Sequence, residues 1–130
     1  MRRNAGMTVH VDDAVHPWRG RLWGHLFSSD LDELHAFAAR LGLSRGWFQR
    51  PPKASWPHYD VTEAKRAEAI VRGALPADRC TTLEIAWTLQ GALTEERVLR
   101  LAARRAAMAA AAPHPKRIGE GPRQMSLPGF

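Results

Sequence analysis

The sequence predicts a small α/β domain, with a short sheet of two or three strands packed by helices, followed by a helical extension and a disordered tail. Three patterns support this fold class: an alternating segment near the N-terminus, a second short run of bulky apolar residues, and several segments with helix-start and helix-stop residues. A chain of 130 residues has the size of one ordinary domain.

Two segments have the pattern of β-strands. Met7, Val9 and Val11 alternate with polar residues, which is the period of a half-buried strand. After a turn expected around 16–20, the segment 21–27 is short and rich in bulky apolar residues. It predicts the second strand.

The first predicted helix begins after a Ser-Ser-Asp cluster at 28–30. Leu31, Leu34 and Leu41 fall on one helical face, and Gly42 is placed to end the helix. This spacing is that of an amphipathic helix packed on a sheet.

Three further helices are predicted downstream. Thr62 can cap a helix over 63–72, and Thr81 and Glu84 have the capping-box spacing of a third helix. Thr94 can cap a fourth, which the following alanines extend to about residue 112. Prolines then end the helical pattern.

These elements predict four parts of the chain. We expect a disordered leader over 1–6, an α/β domain over 7–75, a helical extension over 76–112 and a flexible tail over 113–130. The natural start is left open between Met1 and Met7.

Composition limits the setting and the partners. The formal net charge is +6 and basic residues dominate after Arg97, which favours DNA or RNA as a partner. No run approaches the roughly 18 apolar residues that span a bilayer, so no membrane association is expected. A single cysteine excludes an internal disulfide and fits a reducing cytoplasm. The candidate nucleic-acid-binding residues are Lys53, Lys65, Arg66, Arg97, Arg100, Arg104 and Arg105.

Five tryptophans are many for this length. Trp18, Trp23, Trp47 and Trp56 fall in or beside predicted loops, where indoles can stack on bases. Filling a small core is the alternative role.

A cluster of acids and imidazoles supplies candidate catalytic residues. Asp12 and Asp13 follow the first predicted strand, and His58 and Asp60 follow a proline-rich loop. His25 lies within the second strand. Carboxylates with imidazoles can exchange protons or bind a divalent metal. Capping a turn or a helix is the structural alternative for the aspartates.

Several separated motifs agree in order with one protein family. They are MTVHVDD at 7–13, the segment 24–43, WFQ at 47–49, HYD at 58–60 and KRAEAIVRGA at 65–74. Together they resemble an uncharacterised domain-of-unknown-function family of small bacterial and phage proteins. The resemblance implies no established activity, and it suggests Met7 as the natural start.

The C-terminal peptide QMSLPGF resembles the bacterial sliding-clamp binding motif. Gln124, Met125, Leu127 and Phe130 would be the anchors, and Gly129 departs from the pattern. A few apolar anchors beside a side-chain amide are what a docking peptide needs. A chance arrangement of apolar residues in a polar tail is the alternative.

Three functions therefore stay open. The first is an accessory protein of DNA replication or repair that docks on the sliding clamp, with a body that binds nucleic acid or a nucleotide. The second is a metal-dependent hydrolase or nuclease that uses the Asp and His cluster. The third is a protein-interaction module without catalysis. The sequence contains no phosphate-binding glycine loop and no G-x-S-x-G or H-E-x-x-H motif.

Overall fold

The computed structural model describes residues 8–111. The predicted leader and the whole of the predicted tail, including the candidate clamp-binding residues, lie outside this range. The chain divides between Val98 and Leu99 into two compact units. The first unit contains the sheet and three of the helices.

The α/β class is confirmed, but the prediction of two or three strands is wrong. A six-stranded mixed sheet has the order β4-β5-β3-β1-β6, and β2 pairs with β3. The strands are β1 (Val9–Val11), β2 (His16–Trp18), β3 (Arg21–Ser28), β4 (Phe48–Gln49), β5 (His58–Thr62) and β6 (Leu75–Pro76). Four of these strands, β2, β4, β5 and β6, are not predicted by the sequence. β4 and β6 have two residues each, too few to show a periodicity. β5 has five residues, but it follows a proline-rich loop and runs directly into α2.

Strand β2 occupies part of the segment predicted as a turn. It forms a hairpin with β3, in which His16 pairs with Trp23. The turn itself is at Arg19 and Gly20, both with positive φ, of 52° and 75°. Glycine adopts the left-handed region without strain, which suits Gly20 to this turn. The turn therefore takes up only the two residues between β2 and β3.

The four predicted helices are present: α1 (Leu31–Arg40), α2 (Glu63–Val71), α3 (Arg79–Gln90) and α4 (Glu95–Ala111). The predicted start of α3 is wrong, since Asp78 is the N-cap and accepts a hydrogen bond from the backbone N–H of Thr81. Asp30 and Thr62 cap α1 and α2. Within the described part of the chain, no helix has both the length and the apolar character needed to cross a membrane.

The sheet has one apolar and one polar face. Helices α1 and α2 contribute to the core that covers the first face, where Leu26 and Tyr59 are fully buried. Because successive strand residues point to opposite faces, the neighbours of these two residues, His25, His58 and Asp60, lie on the other face. The candidate site is there.

Candidate metal centre

His25, His58 and Asp60 converge on the polar face of the sheet. Strands β3 and β5 are antiparallel and place His25 directly opposite Asp60. His58 precedes Asp60 by two residues and therefore shares its face. One potential ligand atom from each side chain lies within 4.8 Å of the others. The three side chains thus form a compact group of two imidazoles and one carboxylate.

Asp12 fixes the orientation of the His25 ring. Its Oδ2 accepts a hydrogen bond of 2.8 Å from His25 Nδ1, and its Oδ1 accepts one of 2.6 Å from the His25 backbone N–H. Nδ1 must carry the proton in this pair, because a carboxylate can only accept. Nε2 of His25 is then the nitrogen left to bind a metal, an arrangement common among metal-binding histidines.

A backbone carbonyl does the same for His58. Nδ1 of His58 donates to the carbonyl oxygen of Trp56 at 2.9 Å, and the side chain is almost completely buried. The indole of Trp56 lies against both imidazoles, 4.6 Å from His58 and 5.3 Å from His25 between ring centroids. Both rings are therefore restrained. Nε2 of His58 faces Asp60 and donates to it in the metal-free protein, and a bound metal would replace this proton.

Asp60 is held between His58 and Gln49. Its Oδ1 is 3.3 Å from His58 Nε2, and its Oδ2 accepts a hydrogen bond of 2.9 Å from Gln49 Nε2. The hydrogen bond from His58 lowers the pKa of Asp60, the charges of His58, His25 and His16 act in the same direction, and burial opposes them. The carboxylate is therefore ionised and ready to bind a cation.

The donor set suits a divalent transition metal. Two imidazole nitrogens and one carboxylate oxygen are typical ligands of Zn²⁺, Mn²⁺ or Fe²⁺, whereas Ca²⁺ and Mg²⁺ prefer oxygen alone. Metal bonds of about 2.0–2.2 Å place neighbouring ligand atoms roughly 3–3.6 Å apart. Nε2 of His58 and Oδ1 of Asp60 already have this spacing, and a ring nitrogen of His25 lies within 4.8 Å of a ligand atom of each. Three protein ligands leave coordination positions for water or substrate.

His16 lies at the edge of this group. It is exposed on β2, and its ring is 5.0 Å from that of His25 between centroids. Its charge contributes to the lowered pKa of Asp60, so it acts on the same site. An accessible imidazole at this distance can exchange a proton with water bound at the centre.

A cavity of about 540 Å³ opens beside the centre. Of the three candidate ligands Asp60 lines it, together with its partner Gln49. Three tryptophans and two lysines form much of the remaining wall: Trp18, Trp23, Trp47, Lys53 and Lys65.

Residues 9–88 match the family described as "Protein of unknown function (DUF4031)". This match covers more than half of the chain. The protein belongs to the DUF4031 family. The family resemblance of the sequence motifs is therefore confirmed. No curated protein and no solved structure matches the chain.

The DUF4031 match contains the whole candidate centre. The matched segment begins with β1 and ends within α3, so it includes Asp12, His25, His58 and Asp60. Gly24 also falls within it, and a Cβ added there would lie 3.0 Å from both Asp12 Oδ1 and the Asp13 carbonyl oxygen. The missing side chain at Gly24 is what allows Asp12 to approach His25 so closely.

The four candidate catalytic residues of this DUF4031 protein have different positions. His58 and Asp60 are in the donor set, and Asp12 supports it through His25. Asp13 is exposed and forms an ion pair of 3.3 Å with Arg66. Arg66 also donates to the Asp12 carbonyl oxygen at 2.7 Å, so this pair holds the loop after β1 in place.

The candidate nucleic-acid-binding residues are spread over both units. Lys53 and Lys65 line the cavity beside the centre, and Arg66 is bound to the loop after β1. The guanidinium of Arg97 lies 4.5 Å from the ring centroid of Trp87. The remaining three are exposed on α4: Arg100, Arg104 and Arg105.

Sequence reasoning did not include His25, Gln49 or Trp56 in the site. The alternation of Trp23, His25 and Phe27 along one strand was the available signal for His25. It could not show that this strand pairs with β5, because the pairing joins residues about 35 positions apart. Gln49 lies on a strand of two residues. Trp56 contacts the centre through both its indole and its backbone oxygen, and its position in a proline-rich loop gives no sign of either contact.

Proposed function

We propose that this DUF4031 protein is a metal-dependent hydrolase with its centre at His25, His58 and Asp60. The observation that carries the proposal is the convergence of these three side chains, each oriented by a second hydrogen bond: Asp12 on His25, the Trp56 carbonyl on His58 and Gln49 on Asp60. Orienting partners of this kind are characteristic of metal ligands.

The chain's own residues fit hydrolysis. His25, His58 and Asp60 would hold a divalent cation, which would supply Lewis-acid activation of a water molecule. His16 is exposed beside His25 and could act as a proton acceptor at the site. Asp60 and Gln49 face the cavity, so the substrate would enter from that side. Because imidazole must be neutral to bind a metal, activity should decline as the pH falls.

Hydrolysis of simple chromogenic esters tests the proposal. The full chain, stripped with a chelator, is given Zn²⁺, Mn²⁺, Fe²⁺ or Mg²⁺ and assayed on bis-p-nitrophenyl phosphate, p-nitrophenyl phosphate and p-nitrophenyl acetate. We expect turnover with at least one transition metal and a fall of at least tenfold in Asp60→Asn, because an amide is a much weaker ligand than a carboxylate. Asp32→Asn, an exposed change on α1 outside the site, is the matched control. Equal rates in Asp60→Asn and wild type would refute the assignment of the centre.

A second part of the proposal concerns location. We propose that the peptide 124–130 docks on the bacterial sliding clamp, which would bring the hydrolase to replicating or repaired DNA. The support is the order Gln124, Met125, Ser126, Leu127, Pro128 in the sequence, with Phe130 as the final apolar anchor. Tethering raises the effective concentration of a weakly binding body at its substrate.

Recovery of purified clamp on the immobilised protein tests docking. We expect the full chain to retain the clamp with an affinity on the order of micromolar, or about 8 kcal/mol. Deletion of 124–130 should abolish this retention. A variant with the same seven residues in shuffled order is the control, since it keeps composition and charge while it removes the spacing. Equal retention by the shuffled variant would contradict docking through this motif.

A further inference from the structure

We infer that the cavity beside the metal centre binds a nucleotide unit, with its base on the tryptophans and its phosphate directed toward His25, His58 and Asp60. The placement of the phosphate rests on the proposed hydrolase. The recognition of the base rests on the cavity alone.

The size and position of the cavity fit such a ligand. Its volume of about 540 Å³ lies in the range typical of sites for small molecules. Asp60 lines it together with Trp18, Trp23 and Trp47. A ligand that fills the cavity would therefore contact both the indoles and Asp60. A base with an attached sugar and phosphate has the length to do both.

The exposure of the tryptophans indicates a planar ligand. Trp18 and Trp47 are each 59 % exposed, although indole is among the side chains that gain most from burial. Trp23 lies 5.7 Å from Trp18 between ring centroids, at 65°, and its Nε1 donates to the Trp18 carbonyl oxygen. This contact fixes two indoles at the wall of the cavity, and stacking on fixed aromatic side chains is how proteins bind bases without sequence preference.

The charge around the cavity favours an anionic ligand. Lys53 lines the cavity and has no ion-pair partner within residues 8–111. The guanidinium of Arg19 lies 4.7 Å from the Trp18 ring centroid. Lys65 is partly neutralised by Glu68 and is fixed by the Leu41 carbonyl oxygen. A neutral aromatic ligand would form no ion pair with these cations. A nucleotide supplies a planar base for the indoles and a phosphate for the cations.

A second basic cavity indicates where a longer strand would continue. It has a volume of about 590 Å³ and is lined by Arg45 and Arg50, with Phe48 between them. Phe48 and Gln49 form strand β4, and Gln49 lines the first cavity. Phe48 pairs with Tyr59 and Gln49 with His58, so the two cavities lie on opposite faces of β4, the edge strand of the sheet. A single strand that occupies both would pass around this edge. The same base-and-phosphate chemistry could come from a free nucleotide or from a single strand, and the second cavity distinguishes the two.

Equilibrium binding of a fluorescein-labelled thymidine oligonucleotide tests the inference. The full chain is kept in chelator, so binding is measured without cleavage, and anisotropy reports the dissociation constant. We expect Trp18→Ala and Trp47→Ala each to weaken binding at least tenfold. Both side chains are exposed, so the fold should be retained, which circular dichroism checks. Trp87→Phe, on α3 beneath Arg97, is the matched control and should bind like wild type.

Competition identifies what is bound. dTMP should displace the oligonucleotide, whereas deoxyribose 5-phosphate, which lacks the base, should not. Equal potency of dTMP and the oligonucleotide would support the inference and identify a free nucleotide as the ligand. At least tenfold tighter binding of the oligonucleotide, lost in Arg45→Ala with Arg50→Ala, would support it and identify a single strand.

Two results would overturn the inference. One is the absence of binding by both the oligonucleotide and dTMP. The other is binding that Trp18→Ala and Trp47→Ala leave unchanged. Neither result depends on the metal, because all measurements are made in chelator. Failure of the hydrolase proposal would instead appear as a lack of metal-dependent turnover of the chromogenic esters, which do not need the tryptophans.

Discussion

Replacing His58 with glutamine is expected to abolish the stabilisation that a divalent transition metal gives to the wild-type protein. Nε2 of His58 lies 3.3 Å from Asp60 Oδ1, at the spacing of two ligands of one metal, and a glutamine amide is a poor substitute for imidazole. A metal at about 100 times its dissociation constant stabilises the folded state by about 2.7 kcal/mol. In a small domain this raises Tm by roughly 10 °C or more.

The measurement is Tm with and without Zn²⁺ or Mn²⁺, in wild type and His58→Gln. The difference between the two conditions separates metal binding from any loss of stability caused by the substitution itself. His35→Gln is the matched control, because His35 is also partly buried and its Nδ1 is hydrogen-bonded to the Tyr59 hydroxyl at 2.8 Å, in contact with the core instead of the centre. His35→Gln should keep the metal-induced rise. A rise of equal size in His58→Gln would remove this histidine from the site.

Replacing Asp12 with asparagine is expected to weaken metal binding by about 10- to 100-fold, the usual effect of losing the partner that orients a ligand histidine. Asp12 accepts two hydrogen bonds from His25, one on each oxygen. An amide has one accepting oxygen, so its NH₂ group must face one of the two donors. The His25 ring then loses its fixed orientation. It also loses the hydrogen bond that keeps the proton on Nδ1 and leaves Nε2 unprotonated for the metal.

The change in zinc affinity is measured by titrating the metal-free protein with Zn²⁺ in the presence of an indicator dye that competes for the metal. Asp13→Asn is the informative comparison, because the sequence alone makes Asp13 an equal candidate while the structure has it exposed and paired with Arg66. We expect less than a twofold change for Asp13→Asn. Similar losses in both variants would mean that the loop after β1 acts through its charge, and the specific role of Asp12 would be wrong.

The helices could be predicted because their signals are local. Asp30 and Thr62 have side chains that cap the first turn, and a positive φ at Gly42 and Gly91 follows from the absence of a side chain. The start of α3 could not be predicted correctly, since Asp78 and Thr81 are both suitable caps. Which of the two residues caps α3 depends on the direction of the backbone after β6. That direction is set by the pairing of β6 with β1, a contact between residues far apart in the sequence.

Two of the three members of the candidate donor set could be predicted from the sequence. His58 and Asp60 are two residues apart, so a strand places them on one face, and the intervening Tyr59 points into the core. His25 could be placed on a strand but not beside them, because the register between β3 and β5 is set by packing across the whole sheet. For the same reason Asp12 and Asp13 could not be told apart.

A crystal of the protein grown with Zn²⁺, and measured at the zinc absorption edge, tests the metal centre most directly. We predict an anomalous peak about 2.0–2.2 Å from Nε2 of His25, Nε2 of His58 and Oδ1 of Asp60. Zinc bound elsewhere on the surface, with no peak among these three side chains, would contradict the account.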